Sequence, residues 1–173
     1  MAQLIHRIAE VKGSQPALID ERGSTSWSEF DERANRFIDA MRARGLGPGS
    51  TIAFKTGNRR EPFEITAADA HAAWVIVPVN WHWVEDELVY VVQDAGADAL
   101  IVEDQFFEVG RAAADQLVGT CPVRIVIGEV EAGAGDQPSR SGPFEAYEAV
   151  LASGSPTEPT DQARGGPTRA DRG

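Results

Sequence analysis

The fold of this chain is decided by residues 65–104, whose sequence is ITAADAHAAWVIVPVNWHWVEDELVYVVQDAGADALIVED. The apolar run 74–79 is rich in β-branched side chains, which is typical of a strand buried on both faces. Pro78 is expected to mark the carboxyl end of that strand, because proline cannot donate to a sheet ladder. From residue 85 the apolar positions follow helical spacing, and residues 99–102 form another apolar run. Strand, helix and strand at this length predict a right-handed crossover between parallel strands.

The sequence around this unit continues the alternation of strands and helices. Residues 51–55 predict a strand, and a helix is expected from about Pro62 to Ala72, since proline costs little in a first helical turn. Further on, apolar spacing predicts a helix over 106–117 and a strand over 123–127. The order β, α, β, α, β, α, β predicts an α/β fold, with a mostly parallel sheet and helices on both faces.

The residues before the first of these strands predict a helical part with a hairpin. A short helix is expected to end at Gly13, and two short strands are expected around the turn 20–23. Ser28 is the expected N-cap of a long helix, because Asp31 stands three residues further on, and Gly45 is expected to end that helix. Apolar spacing predicts its core face, which consists of Phe30, Ala34, Phe37, Ile38 and Met41.

Two stretches rich in glycine and proline predict a turn and a disordered tail. Residues 45–49 follow a helix and precede a strand, whereas a phosphate-binding loop follows a strand and opens a helix, so a turn is expected there. Residues 153–173 contain no aromatic or large aliphatic side chain and are expected to be disordered. The predicted domain therefore spans residues 1–152, with residues 153–173 as a linker-like tail.

Composition argues against several classes of partner. A formal net charge of −11 at pH 7 would repel nucleic acid and anionic membranes. The sequence has no apolar run of about 18 residues and no signal-peptide pattern, so we expect a cytoplasmic protein without a membrane span. Cys121 is expected to be a small apolar residue that opens a strand. No histidine has a carboxylate or cysteine at ligand spacing, so no metal site is expected, and His6 is expected to be exposed on its helix.

Two stretches resemble motifs of the adenylate-forming superfamily, which includes acyl-CoA synthetases, luciferases and the adenylation domains of peptide synthetases. The first is HAAWVIVPVN at residues 71–80, followed by ELVY at 87–90, and this part is most similar to fatty acyl-CoA synthetases. The second is SWSEFDERANR at residues 26–36, in which a hydroxyl residue and an aromatic lead into an acidic helix start. One position departs from the pattern, because Trp74 stands where a glycine is usual and an indole needs more room.

The resemblance implies a reaction and an incomplete fold. Enzymes of this superfamily use ATP and Mg²⁺ to convert a fatty or other carboxylic acid into an acyl-adenylate, and coenzyme A then takes the acyl group as a thioester. The family's phosphate loop, its adenine and ribose ligands and its lid lysine have no match in this sequence. We therefore expect an incomplete N-terminal subdomain of the adenylate-forming fold, from a truncated acyl-CoA synthetase that is inactive alone, with no catalytic residue and no cofactor bound by the chain itself.

One turn of the predicted sheet is a candidate for a functional surface. Residues 80–83 follow a parallel strand at its carboxyl end, where such sheets bind ligands. By resemblance, Asn80, Trp81 and His82 match a turn that lies near the nucleotide of coenzyme A in some relatives. The alternative is that Trp81 and Trp83 pack against neighbouring structure.

Two other functions remain open from the sequence. One is a freestanding, non-catalytic binding or regulatory module that complements a separately encoded C-terminal half. The other is an unrelated doubly wound domain, such as a receiver or flavin-binding protein. The second would require a clustered acidic pocket or a phosphate-binding loop after the first strand, and the sequence shows neither.

Overall fold

The computed structural model describes residues 2–129 and 144–160, and these form two compact units. Unit 1 comprises the described residues of 1–50, 59–75 and 151–173, and unit 2 those of 51–58 and 76–150. Within the described ranges, no helix is long and apolar enough to cross a membrane.

The order of the elements along the chain follows the predicted alternation. The helices are α1 (Ala2–Lys12), α2 (Trp27–Ala43), α3 (Glu61–Ala72), α4 (Glu85–Asp94), α5 (Phe107–Gln116) and α6 (Tyr147–Ser153). The strands are β1 (Pro16–Asp20), β2 (Gly23–Ser26), β3 (Thr51–Lys55), β4 (Val75–Pro78), β5 (Ala99–Glu103), β6 (Val123–Ile127) and β7 (Glu145–Ala146).

In unit 1, the antiparallel hairpin β1–β2 leads directly into α2, and the first residue of the helix differs from the prediction. The N-cap is Ser26, not Ser28: the Ser26 hydroxyl accepts from the Glu29 amide at 3.3 Å, and the Glu29 carboxylate accepts from the Ser26 amide at 2.8 Å. This is a capping box, which needs a side chain at the third helical position that reaches back to the cap. A glutamate at position 29 provides that reach.

The core face of α2 is confirmed, and it includes the partner of the unusual tryptophan. Every residue predicted to lie on this face is buried. Trp74 is 2% exposed, and its indole packs edge-on against the Phe37 ring, with 6.0 Å between the ring centroids. Just before it, Ala73 adopts a left-handed conformation with φ 55° and ends α3. The indole that departs from the family pattern is therefore a core side chain of unit 1.

Two arginines at the start of α3 hold carboxylates in unit 1. Arg59 makes two bonds, of 2.6 and 2.8 Å, to the carboxylate of Glu61, and both residues are buried. Arg60 makes two bonds, of 2.9 and 2.6 Å, to the carboxylate of Asp20. The Arg60 guanidinium lowers the pKa of Asp20 to about 2. Each of these charged side chains is removed from water together with a partner of opposite charge. A buried charge without such a partner would destabilise the fold strongly.

The chain beyond α6 lies against α2 through its backbone. The Gly154 carbonyl accepts a bond of 2.9 Å from Arg36, and the Ser155 amide donates to Asp39 at 2.9 Å. Two residues of the predicted tail, Gly154 and Ser155, thus contact α2 through backbone groups, and the disorder of residues 153–173 stays a prediction. Residues 161–173 of the predicted tail lie outside the described residues, and the domain boundary at residue 152 stays a prediction.

His6 is only partly exposed, which differs from the expectation. Its Nδ1 lies 3.0 Å from Asp31 on α2, and its Nε2 lies 3.3 Å from Glu158 and 3.9 Å from Glu10. The hydrogen bond to Asp31 raises the pKa of His6 above its ordinary value of 6.5. Protonated His6 is therefore the form that joins α1 to α2 and to Glu158.

This contact predicts a loss of stability as the pH rises. Because the folded chain raises the pKa of His6, its stabilisation is fully present below pH 6.5 and is lost as the pH increases through the folded-state pKa. We expect the difference in unfolding free energy between the native chain and His6→Gln to be largest near pH 6 and to fall to a smaller, constant value near pH 9. Denaturation at a series of pH values measures it. Asp31→Asn is the control and should remove most of this pH dependence; a difference that is constant with pH would contradict the assignment.

Unit 2 contains most of a five-stranded sheet with the order β4-β3-β5-β6-β7. The pairs β3–β5, β5–β6 and β6–β7 are parallel, which confirms the predicted α/β fold with a mostly parallel sheet. All residues of β3, β5 and β6 are buried, as expected of strands covered on both faces. The core of the unit is formed by apolar side chains from β3, β5, β6, α4 and α5.

The strand β4 lies at one edge of this sheet, which corrects one prediction. It was expected to be buried on both faces, but Val75, Ile76 and Val77 are half-buried and Pro78 is exposed. An apolar run cannot distinguish a central strand from an edge strand, because the strand order depends on contacts distant in sequence. The prediction that Pro78 ends the strand is confirmed.

Candidate functional site

The strand order of the sheet indicates the edge at which a ligand is expected. β4 lies on one side of β3, and β5 lies on the other side. The strand order therefore reverses direction between β3 and β5. In open α/β sheets, ligands bind outside the carboxyl ends of the strands near such a switch point. The carboxyl ends here are Lys55 of β3, Pro78 of β4 and Glu103 of β5.

At the switch point itself, the Glu103 carboxylate bridges the ends of β3 and β5. It accepts a bond of 2.6 Å from the Gly57 amide and one of 2.8 Å from the Gln105 side chain. An added Cβ at Gly57 would lie 3.3 Å from atoms of both Gln105 and Glu103. The space between the two strand ends is thus filled by side chains of the protein itself.

The turn that follows β4, residues 80–83, is exposed and aromatic, and we call it the aromatic turn. Asn80 shapes it: its side-chain oxygen accepts from the His82 amide at 3.0 Å and its carbonyl from the Trp83 amide at 3.1 Å. The rings of Trp81 and His82 lie together, with centroids 3.6 Å apart and planes inclined by 36°. Trp81 is 56% exposed, whereas Trp83 packs against the core of unit 2. The structure therefore brings the three predicted site residues into one exposed turn.

Lys55 holds the aromatic turn from within the sheet, and the sequence did not predict this. Its side chain is fully buried, and Nζ donates to the carbonyl oxygens of Asn80 at 3.1 Å, Trp81 at 2.7 Å and Trp83 at 2.8 Å. The Phe106 ring centroid lies 4.7 Å from the same nitrogen, within the range of a cation–π contact. All three ammonium protons thus have backbone acceptors.

The protonation state of Lys55 follows from these contacts. Burial lowers the pKa of the ammonium, and the negative charge of Glu87 raises it. A neutral amine carries two N–H groups, whereas three carbonyl oxygens surround this nitrogen, so the geometry requires the charged form. One signal in the sequence could have indicated it: Lys55 directly follows the apolar residues 52–54 of its strand, where a charge must find partners.

The remaining candidates for chemistry are the single cysteine and any group of side chains that could hold a metal ion. Cys121 is 3% exposed, and burial raises the pKa of its thiol to about 12, so the thiolate needed for nucleophilic attack is disfavoured. This agrees with its interpretation as a small apolar residue. Across residues 2–129 and 144–160, no group of three or more histidine, cysteine or acidic side chains could hold a metal ion. The features of this edge that the described residues show are the exposed aromatic turn and the buried Lys55 beside it.

Curated proteins with similar sequences include two ligases that act on carboxylic acids. The chain is 30% identical over 156 residues to 3-oxocholest-4-en-26-oate–CoA ligase of Rhodococcus rhodochrous, a match that covers 90% of this chain and 27% of that protein. It is 31% identical over 98 residues to fatty acid–[acyl-carrier-protein] ligase ScoC of Streptomyces coeruleorubidus, covering 57% of this chain and 19% of that protein. The chain thus spans about a quarter or less of the length of these relatives.

Solved structures share the fold described above. A benzoate CoA ligase from Burkholderia xenovorans LB400 superposes with a TM-score of 0.75 at 22% identity, and the match covers 95% of this chain and 30% of that protein. The sequence model of the family described as AMP-binding enzyme matches residues 5–163. The chain has the α/β sheet of these proteins, and the two stretches that resemble family motifs, 26–36 and 71–80, lie within the matched residues. It therefore belongs to the AMP-binding enzyme family, as an N-terminal portion of an adenylate-forming enzyme.

Proposed function

We propose that this chain forms the N-terminal subdomain of an acyl-CoA ligase, on the side of the enzyme that receives coenzyme A. The observation that carries the proposal is the exposed pair of rings, Trp81 and His82, at the carboxyl end of β4 in a member of this family. The relative from Rhodococcus rhodochrous is named a CoA ligase, which supports the reaction class. The complete reaction would consume ATP with Mg²⁺, a fatty or other carboxylic acid and coenzyme A, in the cytoplasm.

The aromatic turn has the chemistry to contact the nucleotide of coenzyme A. An exposed indole gives a flat apolar face on which an adenine ring can stack. Stacking of a base on an aromatic side chain contributes about 1–3 kcal/mol when measured by alanine substitution. Asn80 is exposed, and its side-chain oxygen accepts from His82, so its amide nitrogen adds a donor to the same turn.

The phosphate loop, the adenine and ribose ligands and the lid lysine, which perform adenylation in this family, have no match in the sequence. Transfer of an adenylyl group needs cations that neutralise the triphosphate, usually Mg²⁺ held by carboxylates. No cluster able to hold a metal occurs in the parts of the chain that the structure describes. In place of the expectation that the chain itself binds no cofactor, we therefore propose that it binds and positions coenzyme A. The phosphate loop and lid of the family would be supplied by further polypeptide.

If the aromatic turn binds coenzyme A, Trp81→Ala should weaken the affinity for coenzyme A by about tenfold, since one stacking contact is lost. Isothermal titration of the purified chain with coenzyme A measures it. Tyr90→Ala is the matched control, because Tyr90 is an aromatic residue of unit 2 with 66% exposure that lies on α4, outside the turn. Equal affinity in Trp81→Ala and the native chain would contradict the placement of the ligand.

The proposal that this chain alone does not catalyse adenylation is tested separately, by the exchange of labelled pyrophosphate into ATP in the presence of carboxylic acids. We expect no exchange with the 173-residue chain alone. Exchange by the chain alone would overturn the proposal that it only binds. Exchange that appears on addition of a second polypeptide carrying the phosphate loop and lid would identify this chain as a module that complements a separately encoded half.

A further inference from the structure

The ammonium of Lys55 occupies a position that in other proteins would suit a bound cation. Three carbonyl oxygens of one four-residue turn converge on it within 3.1 Å, and the side chain has no exposed surface. Convergent carbonyl oxygens repel one another unless a positive charge lies between them, and proteins use such oxygens to replace the hydration shell of cations. Here the charge is attached to β3 by the lysine side chain.

We propose that Lys55 is the positioning residue of the aromatic turn and acts as a tethered cation that fixes the turn to the neighbouring strand. The other bonds of the turn, from Asn80 to His82 and to Trp83, are internal to it and set its shape. Lys55 is 25 to 28 residues away along the chain, so its bonds set the position of the turn relative to the sheet. They thereby determine where the Trp81 ring projects.

Lys55 cannot itself act on a substrate. Its protons are all donated to backbone oxygens, and its side chain is enclosed, with the Phe106 ring beside the ammonium. A purely structural lysine would affect the stability of the whole unit, whereas a positioning lysine affects the turn. The distinction therefore needs a measurement that is local to residues 80–83.

The native chain provides the first test. It has two lysines, Lys55 and Lys12, and Lys12 is exposed on α1. In a ¹⁵N-lysine-labelled sample, we expect the ammonium protons of Lys55 to exchange with water at least tenfold more slowly than those of Lys12, because each is buried and hydrogen-bonded. Equal exchange rates for the two lysines would overturn the proposal without any substitution.

The second test replaces the cation while keeping an apolar side chain of similar length. In Lys55→Met labelled with 5-fluorotryptophan, we expect the ¹⁹F resonances of Trp81 and Trp83 to shift and broaden, while those of Trp27 and Trp74 in unit 1 stay unchanged. Each of the four resonances is assigned by a tryptophan-to-phenylalanine variant. The matched control is Arg124→Met, which removes another buried cation, 5% exposed, from near the amino end of β6. An unchanged Trp81 resonance in Lys55→Met, or the same change in Arg124→Met, would overturn the proposal.

Chemical rescue separates the charge from the packing. Propylammonium replaces the atoms that Lys55→Ala removes beyond Cβ, so it should restore the native Trp81 resonance, whereas propanol, which has the same length but no charge, should not. Restoration by both compounds would show that the charge is not needed and would overturn the proposal. If Lys55→Ala does not fold, the comparison of the Trp81 resonance in Lys55→Met and Arg124→Met still decides.

The inference rests on the proposed function only in its last step, that the positioned ring meets coenzyme A. If that step holds, Lys55→Met should weaken coenzyme A binding by about the same factor as Trp81→Ala, that is about tenfold. Absence of coenzyme A binding by the native chain would refute the proposed function and leave the spectroscopic tests of Lys55 intact. Native affinity in a Lys55→Met chain with a displaced turn would refute this last step alone.

Discussion

Trp74→Ala is expected to lower the free energy of unfolding by about 3–5 kcal/mol, the range found for removal of a buried large aromatic side chain. The indole is 2% exposed and packs against Phe37 of α2, so alanine leaves a cavity next to the core face of that helix. Urea denaturation followed by far-UV circular dichroism measures the loss, since this signal does not depend on the removed fluorophore.

The control for this variant is the same chemical change at an exposed position. Trp81 is 56% exposed, and Trp81→Ala should change the free energy of unfolding by no more than about 0.5 kcal/mol. Similar losses in the two variants would show that Trp74 does not act through burial. Such a result would also remove the explanation given above for its departure from the family pattern.

Arg59→Met should destabilise the chain by about 3–5 kcal/mol, because it leaves the buried Glu61 carboxylate without the guanidinium that holds it. Both side chains are less than a tenth exposed, and two bonds of 2.6 and 2.8 Å join them. Denaturation in urea measures the effect. The exposed pair of Arg111 and Glu108 on α5 gives the comparison, and Arg111→Met should cost no more than about 0.5 kcal/mol.

A double variant separates loss of the pair from exposure of a lone charge. Replacing both members, as Arg59→Met with Glu61→Leu, removes the unpaired carboxylate and should recover most of the loss seen in Arg59→Met. If the double variant is as unstable as the sum of the two single variants, the pair contributes no coupling. The assignment of the loss to an uncompensated buried charge would then be wrong.

The parallel sheet was predictable because its signals are local. The strand over residues 51–55 and the strand over 123–127 have the bounds of β3 and β6, since each is a short β-branched run between turn residues. The edge position of β4 was not predictable, because it depends on which strands pair across the sheet. The cap of α2 was misplaced by two residues, although the local signal was present, because Glu29 is the better partner for a capping box.

The candidate site was predictable in part for the same reason. Its place after a predicted parallel strand indicates residues 80–83 as a candidate surface, and the family resemblance selects Asn80, Trp81 and His82 within it, which stays a prediction. Lys55 escapes such reasoning, since a lysine at a strand end is normally exposed and its burial arises from three carbonyls that come from a turn more than 20 residues later. The resemblance to a family gives the reaction class, but it does not indicate a contact that the motifs themselves do not contain.

The burial of Lys55 also determines how this protein reacts with amine-reactive reagents. With two lysines in the chain and one of them without exposed surface, Lys12 offers the accessible ε-amino group for acylation by an activated ester. Modification of Lys55 requires that the turn over it first opens. The rate at which a second lysine becomes labelled therefore reports how often residues 80–83 leave the sheet, in a measurement that needs only a mass spectrometer.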